Sequence, residues 1–135
     1  MAAVISKELD ARLRREMVLW LTSVRADGTP QPAPVWFLWD GASFLIYSQP
    51  QARKVRNLQG NPRVALNLNT DASGGQVAVF WGEAKLDPQT PAAKQVQAYL
   101  EKYHQGIIDI GMNPDSFSGE YSLAIRIVPA RVRED

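Results

Sequence analysis

The sequence predicts an α+β fold that is mainly β, a six-stranded antiparallel β-barrel with short peripheral helices. Three observations lead there. Apolar stretches rich in Val, Ile, Leu and aromatic residues recur along the chain, punctuated by Asp27-Gly28 and Asp40-Gly41, pairs that favour tight turns. RVALNLN alternates Val64, Leu66 and Leu68 with Ala65, Asn67 and Asn69, the pattern of a strand with one buried face. The segments with helical spacing are short, which places them on the outside of a sheet rather than in a bundle.

Taken in order, Ser6 precedes KELDARLRRE, where Leu9 and Leu13 lie four apart among charges, so a short amphipathic helix capped by Ser6 is expected. VLWLTSV, a middle strand from about Gln31 to Trp39, and ASFLIYS then form a three-stranded meander. Pro32 and Pro34 stand at the entry of the middle strand, where a missing ladder N–H is tolerable at an edge or bulge. In QARKVRNLQGNP, Val55 and Leu58 share a face and Gly60 and Pro62 are stop signals, giving one helix from Gln51 to Gln59. RVALNLN and QVAVFWGEAKLD, joined by the loose TDASGG turn, are expected to pair as antiparallel neighbours. Pro91 opens a helix through AAKQVQAYLEKYHQ with Val96, Leu100 and Tyr103 on one face, and IIDIGMNPDSFSGEY reads as helical turns broken by Gly111 and Pro114. YSLAIRIVPARVRED closes the chain as the sixth strand.

A chain of 135 residues fits one domain, 1–135, and is long enough to bury a core. Fifteen Lys and Arg against fourteen Asp and Glu leave a formal net charge of +1, which argues against a dedicated nucleic-acid binder. The absence of cysteine excludes disulfides, thiolate metal sites and a cysteine nucleophile. The single histidine, His104, cannot build a multi-histidine metal site and reads as a surface or helix-end residue. No stretch resembles a signal-peptide core or approaches the roughly twenty apolar residues of a membrane span, so a cytoplasmic protein without membrane partners is expected.

The unusual local feature is YSQPQARKVRN, in which Arg53, Lys54 and Arg56 crowd three cations into four positions with no acid to relieve them. A strand ending at Ser48, a turn through Pro50 and a helix starting near Gln51 place free first-turn N–H groups beside a hydroxyl and two cations. That arrangement suits a phosphate monoester; the alternative is a solvated cationic helix. The spacing is neither a P-loop nor a dinucleotide fingerprint.

Tyr47-Ser48, Arg53-Lys54 and Asn61-Pro62-Arg63-Val64, in that order, resemble the flavin-phosphate segment of the pyridoxamine-phosphate-oxidase superfamily, whose members are dimeric split β-barrels. The resemblance runs from LWLTSVRADGTPQPAPVWFLWDG to the terminal YSLAIRIVPARVR, nearly the whole chain. Within that superfamily, PVWFLWDG, YSQP and RIVPARVR are most similar to the actinobacterial branch that uses a deazaflavin, coenzyme F420, in place of FMN. The ending RVRED lacks the C-terminal histidine of the pyridoxamine phosphate oxidases proper, so the resemblance does not extend to vitamin oxidation.

The resemblance implies that Ser48, Arg53 and Lys54 hold the cofactor phosphate, with Gln49 and Asn57 assisting. It implies that Val35, Trp36 and Phe37 line the ring site, that Tyr47 flanks the groove, and that Trp81 reaches across a homodimer interface. Trp20, Trp36, Trp39 and Trp81 read equally as core or interface, and Arg25 and Arg63 as an extension of the basic groove toward the oligoglutamate tail of F420 or as ordinary strand-end charges. The expected activity is a reductase passing hydride from reduced deazaflavin to a small electron-poor organic substrate such as an enone, quinone or bilin. The alternatives are an FMN oxidoreductase of the same fold and a noncatalytic cofactor- or tetrapyrrole-binding protein. No catalytic acid, base or metal is expected, because the cofactor carries the chemistry.

Overall fold

Ser6 caps the first helix as expected: its hydroxyl accepts the Leu9 N–H at 3.1 Å. The structure, a computed structural model, describes residues 2–135. Helix α1 (Lys7–Arg15) buries Leu9 and Leu13, the pair that the spacing picked out. There follow strands β1 (Leu19–Val24), β2 (Pro30–Val35), β3 (Leu38–Trp39) and β4 (Phe44–Ser48), helix α2 (Arg53–Gly60), and strands β5 (Arg63–Asn67) and β6 (Ala78–Leu86). Helices α3 (Gln97–Asp109) and α4 (Pro114–Glu120) precede the long strand β7 (Leu123–Glu134).

All strands pair antiparallel in one sheet of order β2-β1-β5-β6-β7-β4-β3. The sheet therefore has seven strands where six were expected, and the difference lies in one segment. The middle strand anticipated over 31–39 pairs with β1 as far as Val35 and with β4 from Leu38 onward. Its side chains alternate without interruption: Val35, Phe37 and Trp39 enter one core, while Trp36 and Leu38 pack on the other side.

This change of partner closes the sheet. Strands β2 and β3 are its two edges, yet only Trp36 and Phe37 separate them in sequence. Three peptide steps reach at most about 11 Å, whereas seven strands laid flat would be about 29 Å wide. The sheet must curl into a split barrel with its seam at Trp36–Phe37. At a seam the ladder gives the backbone no partners, and here α3 supplies them. The Tyr103 hydroxyl accepts the Phe37 N–H at 2.8 Å and donates to the Met17 carbonyl at 2.6 Å, while Lys102 Nζ donates to the Phe37 carbonyl at 2.9 Å.

Two cores result. The barrel interior holds Leu19, Leu21, Phe37, Phe44, Ile46, Leu66, Phe80, Ile125 and Ile127, with Val55 and Leu58 of α2 packed into it. A second cluster, Leu45, Tyr47, Tyr99, Tyr103, Ile107, Phe117 and Ala124, lies between the outward side of β4 and β7 and helices α3 and α4. Strand β4 is buried on both sides, which explains its unbroken apolar run. The helix expected to open at Pro91 instead begins with a 3-10 turn (Ala93–Gln95), and α3 proper starts at Gln97. Helix α2 likewise starts two residues later than expected.

Trp36 lies flat against Tyr103, with ring centres 4.7 Å apart and planes 6° from parallel, and against Phe117 at 5.7 Å. Gly106 makes this approach possible: a Cβ there would sit 3.1 Å from Trp36 Cη2. Gly106→Ala should therefore lower stability in urea melts, because overpacking of about 1–3 kcal/mol exceeds a helix-propensity gain of up to about 1 kcal/mol. Tyr103→Phe, which strands the Phe37 N–H and the Met17 carbonyl, should cost about 1–3 kcal/mol by the same measurement.

Candidate functional site

Helix α2 begins without a side-chain cap: Ala52 stands at the N-cap and the first turn carries no acid. Its first two residues are Arg53 and Lys54. The ion pairs among the described residues all lie elsewhere, so both cations, like Arg56, lack an acidic partner, whereas Arg25 interacts with the Asp27 carboxylate. Free N–H groups and the positive end of the helix dipole meet at this turn with one cation on either side, which favours an anion.

The first turn of α2 separates two concavities. On one side is a cleft of about 260 Å³, lined by Pro34, Val35 and Trp36 from the end of β2, Tyr47 from β4, Lys54, Tyr99 from α3, and Ile110, Phe117 and Tyr121 from the helical region. On the other is an open basin of about 700 Å³ bordered by Arg25, Arg53, Arg56, Asn57 and Asn61, with Asp27 at its edge. Lys54 and Arg53 thus face different spaces, although they adjoin in sequence. Lys54 is half-buried, and desolvation lowers its pKa from the usual lysine value. Burial pushes the Tyr47 hydroxyl up to about 12, opposed by Arg126, and the hydroxyl donates to the Pro91 carbonyl at 2.7 Å.

Of the residues singled out in the sequence, Val35, Trp36, Tyr47 and Lys54 come together in the cleft, and Arg53 lies across the helix turn from it. Phe37 does not join them. Its ring is fully buried in the barrel and both of its backbone polar groups are held by α3, so it has no amide to offer a ligand. Ser48 is buried too, with its hydroxyl donating to the Gln49 carbonyl at 2.9 Å. Gln49 donates to Glu120 at 2.7 Å. Asn57 is a buried pin: its amide donates to Ser23 Oγ and Gln31 Oε1, both at 2.9 Å, tying α2 to the β1–β2 hairpin. Trp81 stands on β6 opposite Ala65, beneath the Arg131 guanidinium at 4.9 Å, and borders neither space within one chain.

Sequence reading missed Tyr99, Phe117 and Tyr121. It placed Val96, Leu100 and Tyr103 on the buried face, whereas α3 buries Tyr99, Tyr103 and Ile107. The signal was present as an i, i+4, i+8 series, but assigning it required knowing that Val96 ends a 3-10 turn. His104 is exposed, and no cluster of metal-binding side chains occurs among the described residues.

The family model described as pyridoxamine 5'-phosphate oxidase matches residues 5–134. The chain belongs to this family. No curated protein matches the sequence. Among solved structures, a Listeria innocua protein provisionally called a pyridoxamine 5'-phosphate oxidase is 25% identical, with 94% of each chain covered and a TM-score of 0.66. A protein described as an F420 reductase is 23% identical over 96% of this chain and 98% of its own, with a TM-score of 0.73. The haem storage protein HutZ of Vibrio cholerae is 19% identical over 95% and 92%, with a TM-score of 0.66. The last two likenesses establish a common fold. No helix among the described residues is long and apolar enough to cross a membrane.

The buried amide of Asn57 separates a scaffold role from a ligand role. Asn57→Ala should lower stability by about 1–3 kcal/mol in denaturant melts, because it strands polar partners on Ser23 and Gln31.

Proposed function

We propose that the protein is an oxidoreductase that binds coenzyme F420 and reduces a small electron-poor organic substrate such as an enone, quinone or bilin, as a homodimer with the cofactor groove at its interface. The observation that carries this reading is the uncapped N-terminus of α2, which presents Arg53 and Lys54 beside a cleft walled by aromatic rings. When bound, the deazaflavin supplies hydride transfer. The protein's own residues do the rest. The α2 amides, Arg53 and Lys54 neutralise a phosphate, and Val35, Trp36 and Tyr47 offer a flat apolar wall to the ring. The seam holds that wall in place, since Trp36 packs against Tyr103 and Phe117. Tyr47 keeps its proton at neutral pH.

FMN is the second reading, favoured by the family and by the same phosphate-binding end. The basin beyond Arg53 supports F420 over FMN. Its three arginines, Arg25, Arg53 and Arg56, outnumber its one carboxylate, Asp27, and suit the polyanionic tail of F420, which FMN lacks. The homodimer is supported by the outward side of the sheet, where Trp20, Ala65, Val79 and Trp81 lie half-buried on neighbouring strands. A noncatalytic cofactor-binding role would show as binding without turnover over a broad substrate panel.

Fluorescence titration of the purified protein with F420 and, separately, FMN tests the reading. Arg53→Ala and Lys54→Ala should each weaken phosphate-bearing cofactors roughly 10- to 100-fold, and Arg25→Ala should weaken F420 while leaving FMN unchanged. Binding of FMN alone would reassign the cofactor; binding of neither would remove the proposal. The depressed pKa of Lys54 adds a sign: its charge is lost at a lower pH than that of an ordinary lysine near about 10.4, so cofactor affinity should fall as pH rises into the alkaline range. Lys54→Arg should flatten that profile. In sedimentation velocity the native chain should run as a dimer and Trp81→Glu as a monomer.

A further inference from the structure

Among the described residues, the Tyr99 hydroxyl is the buried side-chain polar atom left without a hydrogen-bond partner. Buried polar groups are nearly always paired, so an orphan next to a cleft asks what it is kept for. The neighbouring hydroxyls are not bonded to it. Tyr47 is committed to the Pro91 carbonyl, and Tyr103 to Met17 and Phe37. The Tyr99 ring stands edge-on to Tyr47, with centres 5.0 Å apart and planes at 87°, and 6.0 Å from Phe117, which leaves it little freedom to turn elsewhere.

We propose that Tyr99 touches the molecule bound in the cleft, donating its hydroxyl proton to a carbonyl oxygen or ring nitrogen of a planar conjugated ring system, and that this contact selects which rings are accepted. The inference rests on the cofactor reading above and deepens it. Trp36, Tyr47, Phe117 and Tyr121 make the cleft a slot for a flat molecule. Lys54 at the slot addresses an anion, and Tyr99 is the wall residue whose unpaired polar atom is buried. Burial raises the pKa of that hydroxyl, so it acts as a neutral donor throughout the physiological range. The unliganded hydroxyl is closed to solvent within the wall of the cleft.

The proposal predicts opposite effects of one substitution on stability and on binding. Tyr99→Phe removes an unpaired polar atom without changing the ring, so it should raise the Tm of the unliganded protein by about 2–8 °C. The same variant should weaken binding of the ring about three- to tenfold, the value of one neutral hydrogen bond. The probes are two pairs: FMN with riboflavin, and F420 with the deazariboflavin that lacks the phosphate. Tyr99→Phe should weaken both members of whichever pair binds by the same factor, whereas Lys54→Ala should weaken only the phosphate-bearing member. A fall in Tm, or unchanged ring binding in Tyr99→Phe, overturns this inference alone. Failure of all four probes to bind the native protein overturns it together with the cofactor reading.

Discussion

The peptide unit of Phe37 holds the fold shut. It lies where the two edges of a seven-stranded sheet meet, and neither edge can satisfy its N–H and carbonyl. Tyr103 and Lys102, adjacent on α3, do so instead, and Tyr103 simultaneously reaches Met17 at the entry to β1. One helix thereby fastens two separate parts of the chain. Unpaired polar groups at such a closure would carry a cost comparable to a sizeable fraction of the stability of an ordinary domain, so the barrel and its covering helix form as one unit.

The site follows from that closure. Because the chain crosses the seam in extended form, its side chains continue to alternate, and Trp36 must point away from the barrel, onto α3 and α4. This outward turn creates the second aromatic core, whose incomplete edge is the cleft. Helix α2 arrives from the other direction: Val55 and Leu58 anchor it in the barrel, and Asn57 ties it to the first hairpin. Its uncapped first turn then opens between an aromatic slot and an arginine-lined basin. Rigid packing on both sides gives fixed positions to charges that would otherwise be mobile on a short surface helix.

Much of this was legible in the chain because the relevant signals are local. The Ser6 cap, the Leu9–Leu13 stripe, the Asp-Gly turns and the alternation of Val64, Leu66 and Leu68 depend on neighbours within a few residues, and the structure contains each of them. The cationic first turn of α2 belongs to the same class. Its implied companions Ser48, Asn57 and Phe37 fared differently. Polar or aromatic character marks a residue as able to bind a ligand, but Asn57 found Ser23 and Gln31, 34 and 26 positions away, and Ser48 turned to Gln49. Competition from distant internal partners leaves no mark in a local pattern.

The sequence by itself determined the barrel class, the order of its elements and the cluster of cations at α2, since periodicity, turn chemistry and composition act over short separations, and the order of its short motifs carried the resemblance to a superfamily. Tertiary structure decided the rest. It made seven strands from six by giving one extended segment two pairing partners. It sent Arg53 and Lys54 to different spaces, because consecutive residues on a helix diverge by about 100° around its axis. It also brought Tyr99 and Phe117 against Trp36 and Tyr47, residues that meet only because the sheet closes on itself and its seam must be covered.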